Sequence, residues 1–397
     1  MTDIRGHVAD GFDEIVEVFE QNFELHDEVG AGFSVYLEGE EVVNLTGGVA
    51  DDAGRPYDED TLQLIFSSTK GATAVCANLL VERGELDIDA PVVQYWPEFG
   101  AHGKGDIPVS WLLCHKSGLI TTDRRMSFDE ALDWDVVVEA LADSHPRWEP
   151  GTQHGYHAVT YGWLVGEVVR RVSGKSLGQF FADEVAAPLG LDFWIGLPED
   201  RFDRVSPLIP MSVALGVATS PDGPADGSSA LGLDELLTQF LGPDNLIGPA
   251  LSAPGGALGP EHVWNDPRLW AAQVPAANGV TNAPGLARMY AALVGEVDGV
   301  RLLEKETVDR AIAPRVEGPD AVLMVPIPFG LGFMLNSDPM PIIGGRSFGH
   351  FGAGGSVGLA DPDRHLAAGY VMNKMLFGMN GDARSQALLS TVDRIVG

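Results

Sequence analysis

Ser67 and Lys70 stand three residues apart in IFSSTKGATAVCANLL, residues 65–80, where a polar turn gives way to an apolar run. If a helix begins at Ser67 or just after it, the two side chains share one face and the amine can reach the hydroxyl. A serine hydroxyl is a weak nucleophile until a base takes its proton, and a lysine stripped of water is able to be that base. The start of a helix also offers backbone N–H groups and positive potential, which suit an oxyanion. The same two residues would equally serve as a helix cap and a surface lysine, so the chemistry needs more parts than this pair. Lysine is scarce in the chain: Lys70, Lys104, Lys116, Lys175, Lys305 and Lys374 are all it has.

Two other segments supply candidate parts. In EPGTQHGYHAVTYGWLVGEVVRRVSGKSL, residues 149–177, a Pro-Gly-Thr turn precedes Tyr156, which stands just ahead of an apolar helical pattern. A phenol there either projects toward another element or packs at the helix start. In FGHFGAGGSVGLADPD, residues 348–363, the glycines let a strand edge approach a ligand closely and present a backbone N–H to its carbonyl. The same segment fits G-x-S-x-G, which would make Ser356 the nucleophile of a strand–turn–helix elbow. However, Leu359 to Asp363 runs into a turn and a further strand, and Asp361, Asp363 and His365 crowd too close to Ser356 to serve as triad partners. Ser356 therefore reads as a decoy. His154 and His157 lack third and fourth ligands at zinc spacing, and no phosphate-binding or dinucleotide loop is present, so neither metal nor cofactor is expected.

These parts need a large scaffold, and 397 residues with 45% apolar content can bury one, as two closely packed domains or one large one. With 25 Lys+Arg against 57 Asp+Glu the formal charge is −32, which argues against nucleic acid and anionic membranes as partners. Cys76 and Cys114 lie in apolar company and read as buried free thiols in a reducing compartment. Acidic residues interrupt the opening segment, no secretion signal is visible and no run spans a bilayer, so a cytoplasmic protein is expected.

Helical spacing of Phe12, Ile15, Val16, Phe19 and Phe23 predicts an amphipathic helix over 8–25, and a hairpin follows around Glu38-Gly39-Glu40. Further helices are expected over 71–83, 109–114, 128–142, 157–172, 233–241 and 384–395. Strands are expected in PFGLGFML, in 346–363 and in HLAAGYVMNK. Residues 205–277 are rich in Gly, Pro, Ala and Ser and read as a loop-rich insertion walling or covering a site. A helical middle between strand-rich ends gives a discontinuous α/β domain, 1–66 and 278–397, around a central antiparallel sheet. A mostly helical domain, 67–277, is inserted into it, and the active site is expected between the two.

Taken in order, Ser67-Ser68-Thr69-Lys70, Tyr156-His157-Ala158 and His350-Phe351-Gly352 resemble the three motifs of the serine β-lactamase and penicillin-binding protein superfamily, in its class C-like branch. Intervening segments are similar too, among them GELDIDAPVVQYWPEF, VSWLLCHKSGL, GVTNAPGLARMYAALV and FGLGF, so the likeness runs from about Gly30 to Lys374. The resemblance implies an α+β fold, an α/β sandwich of β-lactamase/transpeptidase type with an antiparallel sheet flanked by helices. Penicillin-recognising relatives carry Asn where this chain has Ala158 and a Lys-Thr-Gly lysine where it has His350; both changes weaken recognition of a β-lactam. The pattern is instead similar to the family VIII carboxylesterases. By that resemblance Ser67 is the nucleophile, Lys70 with Tyr156 is the proton-transfer pair, and which of them is the base stays open. The oxyanion donors would be the backbone N–H groups of Ser67 and Ala353, and His350, Gly352 and Ala353 would line the substrate edge. The expected activity is hydrolysis of small neutral esters through an acyl-serine. β-Lactamase, D-amino-acid peptidase or amidase, acyltransferase and a non-catalytic acyl-binding sensor are the alternatives. Trp264 and Trp270 are expected to shape the pocket, and oligomeric state is not legible.

Overall fold

The computed structural model describes residues 2–211, 242, 244–338, 341–376 and 382–397. Three strands come from the start of the chain, Ile4–Val8 (β1), Gly30–Leu37 (β2) and Glu40–Gly48 (β3). Glu38 and Gly39 take positive φ values of 53° and 85°, as a two-residue turn between twisted strands requires, and β2 folds back on β3 there. Three short strands, Gln63–Leu64 (β4), Phe193–Trp194 (β5) and Val280–Thr281 (β6), form a small separate sheet in the order β4-β6-β5. Met334–Leu335 (β7), Phe348–Phe351 (β8), Val357–Asp361 (β9) and Leu366–Met372 (β10) complete the main sheet. Its seven strands run antiparallel in the order β1-β3-β2-β10-β9-β8-β7. At its centre β10 lies beside β2, with Tyr370 opposite Phe33 and Ala368 opposite Val35.

Among the described residues, six longer helices surround this sheet or pack beyond it: Asp13–Leu25 (α1), Thr69–Glu82 (α2), Trp134–Ala142 (α3), Thr160–Ser173 (α4), Ala283–Val294 (α5) and Ala383–Val396 (α6). α1 and α6 cover one face, where Ile15, Phe19, Leu388 and Val392 join Phe33 and Val35 in one apolar cluster. α5 lies on the other face and sits unusually close, because Gly369 on β10 and Gly358 on β9 have no side chain to hold it off. A Cβ on Gly369 would stand 2.7 Å from the Ala283 carbonyl oxygen and 2.8 Å from the Ala287 nitrogen, both backbone atoms that cannot swing aside. Gly369→Ala is therefore expected to destabilise the protein by about 1–3 kcal/mol, the usual cost of overpacking, read as a lowered thermal midpoint. An unchanged midpoint would mean that the helix is free to move.

α2 is buried on every side from Thr69 to Val81, as its run of small and apolar residues allows. The small sheet ties this helical part to the rest: Val280 and Thr281 pair with Gln63–Leu64 on one side and Phe193–Trp194 on the other. The antiparallel sheet flanked by helices is the α+β, β-lactamase/transpeptidase-like fold expected from the motifs.

Local departures have local causes. The first helix begins at Asp13, not at residue 8, because Ile4–Val8 is an edge strand whose polar sequence, IRGHV, hides it. The helix expected over 128–142 is two, Phe128–Ala131 and Trp134–Ala142, since the Asp133 carboxylate accepts the N–H groups of Asp135 and Val136 and caps a new start. The helix expected over 233–241 lies outside the described residues. Within 205–277 the described elements include the short helices Ile247–Leu251 and Pro267–Ala271. Both cysteines are buried free thiols, and burial pushes Cys114 up to about 12. No described helix is long and apolar enough to cross a membrane.

Candidate active site

The chain reaches Ser67 through a turn that must be held in place. Phe66 has φ 45°, a left-handed conformation costly for a residue with a side chain, and Phe66–Ser68 form a single 3-10 turn before α2 begins. Three hydroxyls clamp it. Ser356 donates to the Ile65 carbonyl at 2.8 Å, Ser68 lies 3.2 Å from the His350 carbonyl and 3.1 Å from the Ser356 hydroxyl, and Thr69 donates to the Phe66 carbonyl at 2.5 Å. Ser356 is thus engaged as a buried clip between β8–β9 and the Ser67 turn. Its supposed triad partners are elsewhere: Asp361 pairs with Arg364 at 2.8 Å and His365 bonds the Val294 carbonyl at 2.7 Å.

Two groups converge on the Ser67 hydroxyl. Lys70 Nζ lies 3.1 Å from Oγ, and the Tyr156 phenol, its ring 4.7 Å from Lys70 Nζ, interacts electrostatically with the Ser67 side chain. Lys70 is completely buried, touches no carboxylate among its hydrogen-bond partners, and donates to the carbonyls of Ala158 (2.6 Å) and Ala276 (3.0 Å). Burial alone pushes its amine well below the ordinary lysine value. A neutral amine has two N–H donors and one lone pair. In that form, with both donors on the two carbonyls, the lone pair would face Ser67. The Tyr156 phenol is pushed above its ordinary range by burial and so stays protonated.

The tyrosine is positioned through its backbone and ring. Its N–H donates to Asp320 Oδ1 at 3.0 Å, and the same oxygen accepts Val322 and Leu323 N–H groups at 2.8 Å each. Its ring stacks on Phe329 and on His350, at centroid distances of 6.1 Å and 5.9 Å, and lies 4.7 Å from Lys70 Nζ. The surrounding histidines are structural in their bonding. His157 donates Nδ1–H to the Gly155 carbonyl at 2.7 Å and lies 2.9 Å from the Ser117 hydroxyl through Nε2; burial lowers it to about 3. His115 accepts the His157 backbone N–H at 3.2 Å and is likewise held well below its ordinary value by burial. His350 donates Nδ1–H to the Phe351 carbonyl at 2.7 Å and is lowered to about 3 by the same cause.

A cavity of about 390 Å³ opens onto Ser67. Gly352 and Ala353 line it, whereas His350 stands back from the wall with its ring against Tyr156, 1% exposed; of the three residues expected along this edge, two reach the cavity. The Gly352 N–H is spent on the Ser356 carbonyl at 2.7 Å. The remaining lining is mostly apolar, including Phe66, Leu208, Ile247, Leu251, Trp264 and Phe351. Its charged members among the described residues are Glu261 and Asp382, both acidic. Trp264 packs on Phe66 at a centroid distance of 4.8 Å, while Trp270 stands behind it and donates Nε1–H to the Trp264 carbonyl at 2.9 Å. A second cavity, of about 830 Å³ beside α3 and lined by Glu98, Asp135, Glu167 and Arg171 among others, includes none of these groups.

Asp320 and His115 were not singled out from the sequence. Asp320 meets Tyr156 across 164 positions, a pairing that no local pattern announces. His115 lies in VSWLLCHKSGL, a recognised segment, but only its 62° φ and its packing against Tyr156, 5.1 Å between centroids, reveal its place.

The family model described as Beta-lactamase matches residues 15–392. The Esterase/beta-lactamase LipL of Mycobacterium tuberculosis (strain ATCC 25618 / H37Rv) is 36% identical over 371 residues, 91% of this chain and 81% of that protein. The crystal structure of a family VIII carboxylesterase superimposes with a TM-score of 0.86 at 36% identity, covering 99% of this chain and 100% of the other. A penicillin-binding protein homolog from Caulobacter crescentus gives a TM-score of 0.83, also at 36% identity, covering 99% and 100%. The chain therefore belongs to the Beta-lactamase family and is a serine hydrolase of the β-lactamase/transpeptidase-like fold.

Proposed function

We propose that the protein hydrolyses small neutral carboxylic esters through an acyl-Ser67 intermediate. The observation that carries this reading is the environment of Lys70: a buried amine, pushed toward its neutral form, whose two carbonyl acceptors leave its lone pair for the Ser67 proton. As Ser67 Oγ bonds to the ester carbonyl carbon, its proton passes to Lys70. The carbonyl oxygen becomes an oxyanion facing the N–H groups of Ser67 and Ala353. When the C–O bond to the alcohol breaks, the Tyr156 hydroxyl protonates the departing alkoxide and regains a proton from Lys70. Water then repeats the sequence on the acyl-enzyme and releases the acid.

The cavity chemistry favours neutral substrates. A β-lactam carries a carboxylate, and among the described residues no lysine or arginine lines the cavity to receive it, while Asp382 in that wall is already paired with Arg384. The name of one similar structure, a family VIII carboxylesterase, points the same way, while LipL is named for both activities. The test compares p-nitrophenyl butyrate with a chromogenic cephalosporin. The ester is expected to have the higher kcat/KM by about 10- to 100-fold, the value of a charge-assisted hydrogen bond that the lactam carboxylate lacks here. Equal or greater turnover of the cephalosporin would overturn the preference.

A further inference from the structure

We propose that Arg384, at the start of the C-terminal helix, is a positioning residue for the oxyanion site: it holds the Gly352–Gly355 turn so that the Ala353 N–H faces Ser67. The inference rests on the esterase reading above and extends it to a residue outside the three motifs.

Arg384 is completely buried, and its guanidinium is spent on partners that meet at one place. Nη1 donates to Glu28 Oε1 at 2.7 Å; Nε and Nη2 clasp the two Asp382 oxygens at 2.9 Å and 2.7 Å. Nη2 also lies 2.9 Å from the Gly354 carbonyl oxygen and 3.0 Å from that of Lys374. A buried guanidinium paired with two carboxylates would be accounted for as a bolt between α6 and the loop that leads into β2. The bond to Gly354 is not, because it reaches into the cavity wall.

That wall cannot hold its own shape. Of its four residues three are glycine, and Gly354 and Gly355 have φ values of 84° and 129°, so the backbone has wide freedom around Ala353. Its internal bonds are Gly352 N–H to the Ser356 carbonyl, 2.7 Å, and Gly355 N–H to the Gly352 carbonyl, 3.2 Å. From outside, the Gly354 carbonyl is gripped by Arg384 and by the Leu376 N–H at 3.1 Å. Gly352 is thus fixed from the β9 side and Gly354 from the helix side, and the Ala353 peptide is bracketed between them. Gly355 has to be glycine for this contact: a Cβ there would stand 2.4 Å from Asp382 Oδ2 and 2.9 Å from Arg384 Nη2.

An oxyanion donor works only when it is aimed before the charge develops, so loosening this turn should affect the transition state more than substrate binding. The experiment uses Arg384→Lys, which keeps a cation for Glu28 and Asp382 but loses the planar fork. The readouts are kcat and KM for p-nitrophenyl butyrate and the affinity of an alkylboronic acid, which forms a tetrahedral anion on the serine. The expected result is kcat lowered about 10- to 100-fold, KM within about twofold, and boronate affinity falling in parallel with kcat/KM. Should the lysine variant fail to fold, Asp382→Asn, which weakens the same clasp with little change of shape, is expected to give the same pattern. A folded variant with unchanged kcat and boronate affinity, while Ser67→Ala is inactive, would overturn this inference alone. Activity persisting in Ser67→Ala would remove the esterase reading and this inference with it.

Discussion

Ser67→Ala is expected to abolish turnover of p-nitrophenyl butyrate, by about ten-thousandfold or more, in a protein whose thermal midpoint is close to that of the parent. The hydroxyl lies 3.1 Å from Lys70 Nζ, and in the proposed mechanism its removal leaves Lys70 and Tyr156 with no proton to move. The turn itself is held by Ser68, Thr69 and Ser356, so the fold has little reason to fail. Ser356→Ala is the matched comparison, because it removes a clip and leaves the nucleophile; it should cost activity by less than about tenfold. Steady-state rates for the two variants, with a phosphonate ester label located by mass spectrometry, decide the matter. A label on Ser356, or activity surviving in Ser67→Ala, would sink the assignment.

The second large effect concerns Lys70. Lys70→Met is expected to lower kcat/KM by about a thousandfold, within the range for loss of a general base, and Lys70→Arg should do no better because a guanidinium stays protonated. The parent's pH profile carries the sharper test. As the proposed base Lys70 works in its neutral form, so activity should be lost as the pH falls through its pKa and should plateau above it. Because burial depresses that pKa, the limb should lie well below the ordinary lysine value of about 10. His157 and His350 are held near 3, and His115 well below its usual value, so these neighbours do not supply a limb near neutrality. A limb at the ordinary lysine value, or an unchanged limb in Lys70→Met, would show that the amine is not the base.

The sequence made the candidate reacting groups legible because each sits in a short motif with its own geometry: a serine and a lysine one helical turn apart, a tyrosine after a turn, a glycine-rich strand edge. The hairpin at Glu38-Gly39 and the buried helix after Ser67 were equally local, readable from φ-permissive residues and from an apolar run. What escaped was non-local or masked by polarity. β1 reads IRGHV because an edge strand needs little burial, and the break in 128–142 depends on one aspartate capping a second helix. Asp320 and Arg384 are single polar residues in segments with no chemical signature, and their meaning comes from partners far along the chain: Tyr156 for one, Glu28 and Gly354 for the other. His350 was placed by its motif, but the pleat that turns Phe351 and Ala353 to the cavity leaves its ring against Tyr156.

The central pairing of β2 with β10 sets the order in which a working enzyme can come into being. During synthesis, Ser67, Lys70 and Tyr156 emerge while the strands that carry Ala353 and close the sheet are still untranslated. β2 must wait, one edge open, for a partner more than three hundred positions later, a loop closure that favours slow folding and exposes an unpaired strand meanwhile. A nascent chain stalled before β8 would hold Ser67 and Lys70 yet lack the Gly352–Gly355 wall to which the proposed mechanism assigns the oxyanion. Activity is therefore a late event, a signal that the last strands have docked rather than that the catalytic side chains exist.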